Sequence, residues 1–502
     1  MSMKPLGLGA ALLYSLPLAA LAQPAPPRDE FFWLGEMNKA TLVINTDEGL
    51  LDKALAPKIA AGVAKVIGDG AKAGAKRPSS VISFEPLLIE AAGVEVTLLH
   101  AGRSSQDMHA TYRAAMLRDG LLRLSDQLEK TSSALVALAR SHVGTIVPNY
   151  TNGVAAQPNS YGHYLLGHVA GFERDAQRIR EAYARIDRSP MGTTVLNGTS
   201  WPLNRQRMAG YLGFGAVVDN AYDASQIAAV DIPVELASIV TATALHVGGF
   251  VEDVMTQYGQ SRPWILLQEG GGNTYVSSAM PQKRNPGLLN GTREAASGAL
   301  ALAMGPVFKA HNLGPGMPDA KNVKANVAMI DGATAALRGL ERVVKALVIS
   351  PERALEELNS DWTASQELAD LLMRKYKLPF RVGHHFASEI VDYAKTNDIK
   401  PTAFPYAEAV RIFAHSVKEM KVEAGALPIT EAEFRETLDP VAIVRNRATS
   451  GGPQPAEVER MLKEAEASLA AQRDWTKARR GFIEAALKRL DADFGAIAKT
   501  AN

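Results

Sequence analysis

The chain has 502 residues, 47% of them apolar and 21% charged. That length exceeds one ordinary core and allows two or three domains. A formal charge of +1 removes the electrostatic case for nucleic acid or an acidic membrane surface as partner, and with no cysteine the fold needs no disulfide.

The chain opens MSMKPLGLGAALLYSLPLAALAQPAPP. Lys4, the apolar stretch Leu6 to Leu21 and the triplet Ala20-Leu21-Ala22 have the layout of a secretory signal peptide, with cleavage expected after Ala22. The mature protein is therefore expected in the periplasm or outside the cell; an uncleaved anchoring or amphipathic segment is the alternative. No other run reads as apolar enough over a sufficient length to cross a bilayer. Pro24 to Arg28 reads as a linker, and Phe31 to about His100 mixes short helical patterns with turns. Long helical patterns follow at Gly162–Ile186, Val234–Tyr258, Leu288–Met304 and Val323–Ile349, with apolar positions at helical spacing. A boundary falls near Ser360, and the charged tail Pro455 to Ala498 predicts helix interrupted by Arg473-Asp474-Trp475. The class is all-α, in three parts after the 1–22 leader: an N-terminal domain at 23–105, a central helical bundle at 106–361 and a C-terminal helical domain at 362–502.

One loop in the central part carries chemistry. EGGGNTYV leads into SSAMPQKRNP, Ser277 to Pro286. Gly270, Gly271 and Gly272 suit a lid. Lys283, Arg284 and Asn285 suit the clamping of a carboxylate and of a carbanion delocalised into it. A serine in that field is placed to take a proton. A polar surface loop is the plain alternative on spacing alone.

SSAMPQKRN matches the signature Gly-Ser-Ser-x-Met-Pro-x-Lys-x-Asn of the fumarase/aspartase superfamily at every fixed position after its leading glycine, which is Val276 here. Other segments resemble the argininosuccinate lyase branch: HAGRSSQD from His100, YTNGVAAQPNSYGHYLLGH from Tyr150, PMGTTVLNGTSWPLNRQRMAGYLGF from Pro190, LPFRVGHH near Arg381 and LDPVAIVRNRATSGGP from Leu438. The likeness runs from about Phe31 to Leu469. It implies an all-α homotetramer with a central twenty-helix core and active sites each shared by three subunits. By the resemblance, Ser277 is the base, and Lys283 and Asn285 hold the aci-carboxylate. Thr151, Asn152, Gln157, Ser104, Gln106, Ser278 and Met280 are implied substrate contacts. The resemblance implies no organic cofactor and no metal.

The departures from the family narrow the expectation. Its threonine-histidine pair is Thr151-Asn152 here, and an amide has no usable pKa with which to protonate a leaving group. Its Arg-Asn pair is Ser105-Gln106, although Arg103, Ser104 and Asp107 remain. Two segments that hold the arginine end of argininosuccinate are altered, around Asp223 and at His311 to Asp319, which keeps Asn312. Arginine biosynthesis is cytoplasmic, whereas an exported protein is expected here. The expectation is a lyase that releases an amine-type group from a succinyl, N-substituted aspartate-like compound to leave fumarate. A catalytically impaired homologue with a binding or structural role and a genuine argininosuccinate lyase are the rivals. His163 and His109 are candidates to replace the missing acid, with helix-start packing the plainer role for His163. Arg103, Arg205 and Arg207 are candidates for a second carboxylate. Ala296-Ser297-Gly298, the triplet that aromatic ammonia lyases cyclise, lies in a helical pattern and is set aside.

Overall fold

The computed structural model describes residues 27–500; the expected leader, 1–22, lies outside them. The N-terminal part is three helices, α1 (Glu30–Asp47), α2 (Ala56–Gly70) and α3 (Val81–Ala92). Asp29 caps α1 by accepting the Phe32 N–H at 3.0 Å and takes Arg77 Nε at 2.7 Å. Nearly every residue of α1 is buried, so it reads as a core rod with no polar face.

The bundle begins with α4 (Ser105–Ser141), 37 residues long. A hairpin of β1 (Ile146–Thr151) and β2 (Val154–Ser160) follows, then α5 (Tyr161–Ile186). Two-residue strands β3 (Arg188–Ser189) and β4 (Ala216–Val217) pair in parallel around α6 (Arg205–Tyr211). The chain then returns through α7 (Ala228–Tyr258), β5 (Ile265–Leu267), the short pair β6 (Tyr275–Val276) and β7 (Arg284–Asn285), α8 (Gly287–Ala310) and α9 (Val323–Ala346). α4 packs against α5 and α9, and α7 packs against α5, α8 and α9. The predicted helix at Val323–Ile349 stops at Ala346; its last three residues are β8 (Leu347–Ile349), paired with β5. Ala296-Ser297-Gly298 lies inside α8, as its pattern predicted.

After α10 (Pro351–Ser360), a second apolar core runs from Trp362 to Leu438. It is built by α11 (Ser365–Tyr376), α12 (Phe380–Thr396), α13 (Tyr406–Glu419) and α14 (Glu431–Leu438), with α15 (Pro440–Arg445) closing it. The tail is one helix, α16 (Pro455–Lys499), of 45 residues. The expected break at Arg473-Asp474-Trp475 is absent, because Trp475 packs edge-on against Tyr183 and Arg473 pairs with Glu129 along the helix flank. α16 buries Val458, Leu462, Ile483 and Leu490 in the main core. The expected 362–502 unit thus divides by packing into a small second core and a strut of the bundle.

One reading needs correction. The stretch Asp223–Tyr258 has the length and composition of a membrane span, with a mean hydropathy of 1.6, and 39% of its most apolar window is buried. Val, Ile, Leu and Ala raise its hydropathy, its small residues leave room for close packing, and α5, α8 and α9 lie against it.

Arg118, fully buried on α4, ties this end of the bundle together. It meets Asp187 at 3.0 Å, donates to the Gly213 carbonyl at 2.5 Å and stacks on Phe214 at 4.2 Å. Burial raises the Asp187 carboxyl above its ordinary range, against the pull of Arg118. Arg118→Ala leaves a buried carboxylate and carbonyls unpaired and should cost about 3–5 kcal/mol, read as a lower midpoint in denaturant unfolding.

Candidate active site

The signature residues sit on a small hairpin at the C-terminal end of α7. β6 pairs antiparallel with β7, so Tyr275 faces Asn285 and Val276 faces Arg284. The Ser277 N–H donates to the Lys283 carbonyl at 3.3 Å, which sets the two residues directly across the loop. Ser277 Oγ accepts the N–H groups of Ala279 (3.4 Å) and Met280 (3.3 Å). Those dipoles favour a hydroxyl that is losing its proton. Asn285 Nδ2 donates to the Tyr275 carbonyl at 3.3 Å, and Tyr258 Oη to the Arg284 carbonyl at 3.0 Å, anchoring the hairpin to α7. Ser278, Met280 and Lys283 are exposed.

The glycines before this hairpin have a defined shape. Gly270, Gly271 and Gly272 have φ of +85°, +59° and +79°, and the Asn273 N–H closes the turn on the Gly270 carbonyl. Three successive left-handed residues exclude side chains. The expectation of a loose lid becomes a shaped turn.

Thr151, Asn152 and Gln157 lie on the β1–β2 hairpin at the same end of the bundle. Thr151 pairs with Val154 across Asn152 and Gly153, whose φ values are +53° and +75°. Asn-Gly with both φ positive is the signature of a tight two-residue hairpin turn. The residue where the family carries histidine is thus fixed by turn geometry. Gln157 Nε2 donates to Gln366 Oε1 at 2.7 Å, joining the hairpin to α11.

Behind this hairpin lies a cavity of about 690 Å³. Sequence reasoning missed most of its wall: Tyr150, Tyr164, Trp264, Asp253 and Gln366. The signal was present in part, since Tyr150 belongs to the quoted YTNG segment. Tyr150 Oη lies 2.5 Å from Glu357 and 3.0 Å from Gln257, and accepts from Trp264 Nε1 at 3.0 Å. Burial, and then Glu357, push its phenol up; burial does the same for Tyr161 and Tyr164. The wall is therefore neutral phenol, amide and indole, and Asp253 is the one charged residue among those lining it. No lining residue is a cation for a dicarboxylate.

The first segment lies elsewhere. Ser104 caps α4: its Oγ accepts the Gln106 N–H at 3.2 Å, and its own N–H donates to Asp107 at 2.8 Å. Gln106 is exposed beside it. Residue 104 precedes α4 and Thr151 follows it, so a helix about 55 Å long lies between them in one chain. The three arginines share the Ser104 end. Arg103 is buried against Asn38 and Thr41, and burial pulls it down to about 10. Arg205 donates to the Met191 and Val218 carbonyls, and Arg207 pairs with Asp47. None of them lies near Ser277 or Thr151 within a protomer.

Neither histidine candidate stands free as an acid at this end. His163, in the first turn of α5, has Nε2 at 2.9 Å from the Gly451 carbonyl, so that nitrogen carries the proton and donates it there. His109 lies at the Ser104 end; it accepts the Val81 N–H at 3.2 Å, and burial, helped by Arg113, lowers it to about 4.

Residues 52–300 match the family described as Lyase, and residues 362–445 match Argininosuccinate lyase C-terminal. The argininosuccinate lyase of Geobacillus sp. (strain WCH70) is 30% identical over 390 residues, which are 76% of this chain and 80% of that protein. That of Methanosarcina acetivorans is 29% identical over 431 residues, 84% of each. Among solved structures, EDDS lyase in complex with formate superposes with a TM-score of 0.85 at 25% identity, over 94% of this chain and 92% of that one. The long-helix bundle with its serine hairpin is the fold of the fumarate lyases, a class shared with a fumarase structure of TM-score 0.64. The chain belongs to the argininosuccinate lyase branch of the fumarase/aspartase superfamily. It is a fumarate-forming carbon–nitrogen lyase.

Two outcomes follow from this geometry. Gly153→Ala, at φ +75°, should cost about 1–2 kcal/mol, with faster hydrogen exchange confined to 146–160. His109 is depressed in the folded chain, so the stability it gives is present above about pH 6.5 and is lost as the pH falls toward 4. His109→Gln should flatten the fall in melting temperature across that window.

Proposed function

We propose that the chain removes an amine from an N-substituted aspartate, or adds it to fumarate in reverse, through a carbanion held as an aci-carboxylate. Ser277 takes the proton from the carbon beside one carboxylate. The electron pair passes into that carboxylate, whose growing charge meets Lys283 and Asn285. The pair then returns to form the double bond of fumarate as the C–N bond breaks, and the nitrogen leaves with the electron pair of that broken bond. The observation that carries this reading is the Ser277 hydroxyl under two backbone N–H groups, 3.3 and 3.4 Å away. Such bonds strengthen as the oxygen gains charge.

Asn152 bears on the leaving group. With no acid at that position, the nitrogen must already carry its proton and depart as a neutral amine. An amine, whose conjugate acid is a stronger acid than guanidinium, leaves more readily on those terms than a guanidine. The reading therefore favours aspartates N-alkylated by an amino acid or a diamine over argininosuccinate. It is supported by the likeness to EDDS lyase, a variant of which holds bound fumarate.

We propose further that the site is completed in a homotetramer. The cavity wall lacks a cation, and Ser104 and Gln106 lie a full helix length from Thr151. Leu302, Met304, Val307 and Phe308 are exposed on α8, a face suited to another copy. Export rests on the leader alone.

The test is fumarate absorbance with purified mature protein across a panel of N-substituted aspartates, argininosuccinate included. An amino-acid-substituted aspartate should turn over at least tenfold faster than argininosuccinate, and Ser277→Ala should lose at least about a hundredfold. Fumarate release unchanged in Ser277→Ala would end the assignment of the base; argininosuccinate as the best substrate would end the leaving-group argument. A folded tetramer silent on every compound would leave the impaired homologue.

A further inference from the structure

The second core carries a cluster that the elimination does not use. HHFASE and HSVKE each place a histidine four residues before a glutamate: His385 and Glu389 on α12, His415 and Glu419 on α13. That spacing puts both side chains of each pair on one helix face, and the two helices pack together. The four groups form a closed ring. His385 Nε2 lies 2.9 Å from Glu419 and 3.6 Å from Glu389; His415 bridges the two carboxylates from outside, with Nδ1 3.1 Å from Glu389 and Nε2 3.8 Å from Glu419. One donor atom each from His385, Glu389 and Glu419 fall within 4.8 Å of one another.

Three features distinguish the ring from ordinary surface pairs. Its carboxylates bring two negative charges together, and among the described residues no lysine or arginine forms an ion pair with either. The second oxygen of Glu389 is held by the Ser416 hydroxyl, the kind of outer contact that fixes a ligating carboxylate. The spacings also match coordination: a tetrahedral ion with bonds near 2.0–2.1 Å holds its donors about 3.3 Å apart. Histidine pairs at the surface contribute little by themselves, whereas an imidazole and two carboxylates make an uncharged complex with a doubly charged ion.

We propose that His385, Glu389 and Glu419, with His415 beside them, bind one divalent transition ion of the zinc class, clamping α12 to α13. Imidazole with carboxylate suits zinc, cobalt and nickel better than calcium or magnesium. The clamp lies in the unit whose α11 reaches the cavity hairpin through Gln366.

The experiment uses the full-length, tag-free protein after chelator treatment, titrated with Zn²⁺ by calorimetry and with Co²⁺ by visible absorption. One ion per protomer, a cobalt band and a higher melting temperature with Zn²⁺ are expected. His385→Ala/His415→Ala should weaken binding at least tenfold while fumarate formation is retained, and Glu389→Gln/Glu419→Gln, which keeps side-chain size, should do the same. The absence of saturable binding to the wild-type chain, or equal binding by both double variants, would overturn the proposal.

Discussion

The length of α4 is the constraint on which the rest of the molecule depends. A rod of 37 residues, about 55 Å long, lies between its capped end and the turn into the β1–β2 hairpin. Chemistry that draws on both ends must draw on more than one chain. At the hairpin end of that rod, the Thr151 cavity is lined by neutral groups and by Asp253, with no cation among them. Charges that would bind a dicarboxylate are costly to bury without partners, and the chain keeps its arginines of the far end paired or capped within its own fold.

At the hairpin end, backbone geometry selects the side chains. The Asn152-Gly153 turn needs two left-handed residues, and the Gly270–Gly272 turn needs three. The glycine positions of these turns accept a side chain only with strain, whereas position 152, at φ +53°, suits asparagine, aspartate or histidine. The serine hairpin differs, because its reactive groups are set by ladder pairing between β6 and β7 and by the Tyr258 tether. Its chemistry is therefore separable from the loss at Asn152.

Much of this was legible in the sequence, and the exceptions have physical causes. α5, α7, α8 and α9 announced themselves through apolar spacing. α4 did not, because its buried face carries Thr111, Arg118, Ser125, Thr131 and Ser132 in place of aliphatic residues, which flattens the periodicity. Trp475 looked like a break in the tail because a large aromatic beside two charges resembles a loop; its partner Tyr183 lies far away in sequence. The serine loop was readable residue by residue, since its groups are contiguous. The cavity was not: Trp264, Asp253 and Gln366 come from separate parts of the chain, and Gln366 joins the wall only through its bond to Gln157 on the hairpin. The arginines illustrate the opposite failure, where side chains of suitable chemistry are engaged in structure at the wrong end.

The strut α16 has a consequence for how the molecule is made. Lys39 of α1 is buried between Glu36 and Asp491, partners separated from it by three and by 452 positions. α1 packs on α16, so the first described helix has no complete environment until the last residues of the chain are synthesised. Contacts of such sequence separation close late and slowly. During synthesis α1 can pack early on α2 and α4 while the side that meets α16 stays uncovered, and the native topology is reached only by the finished chain.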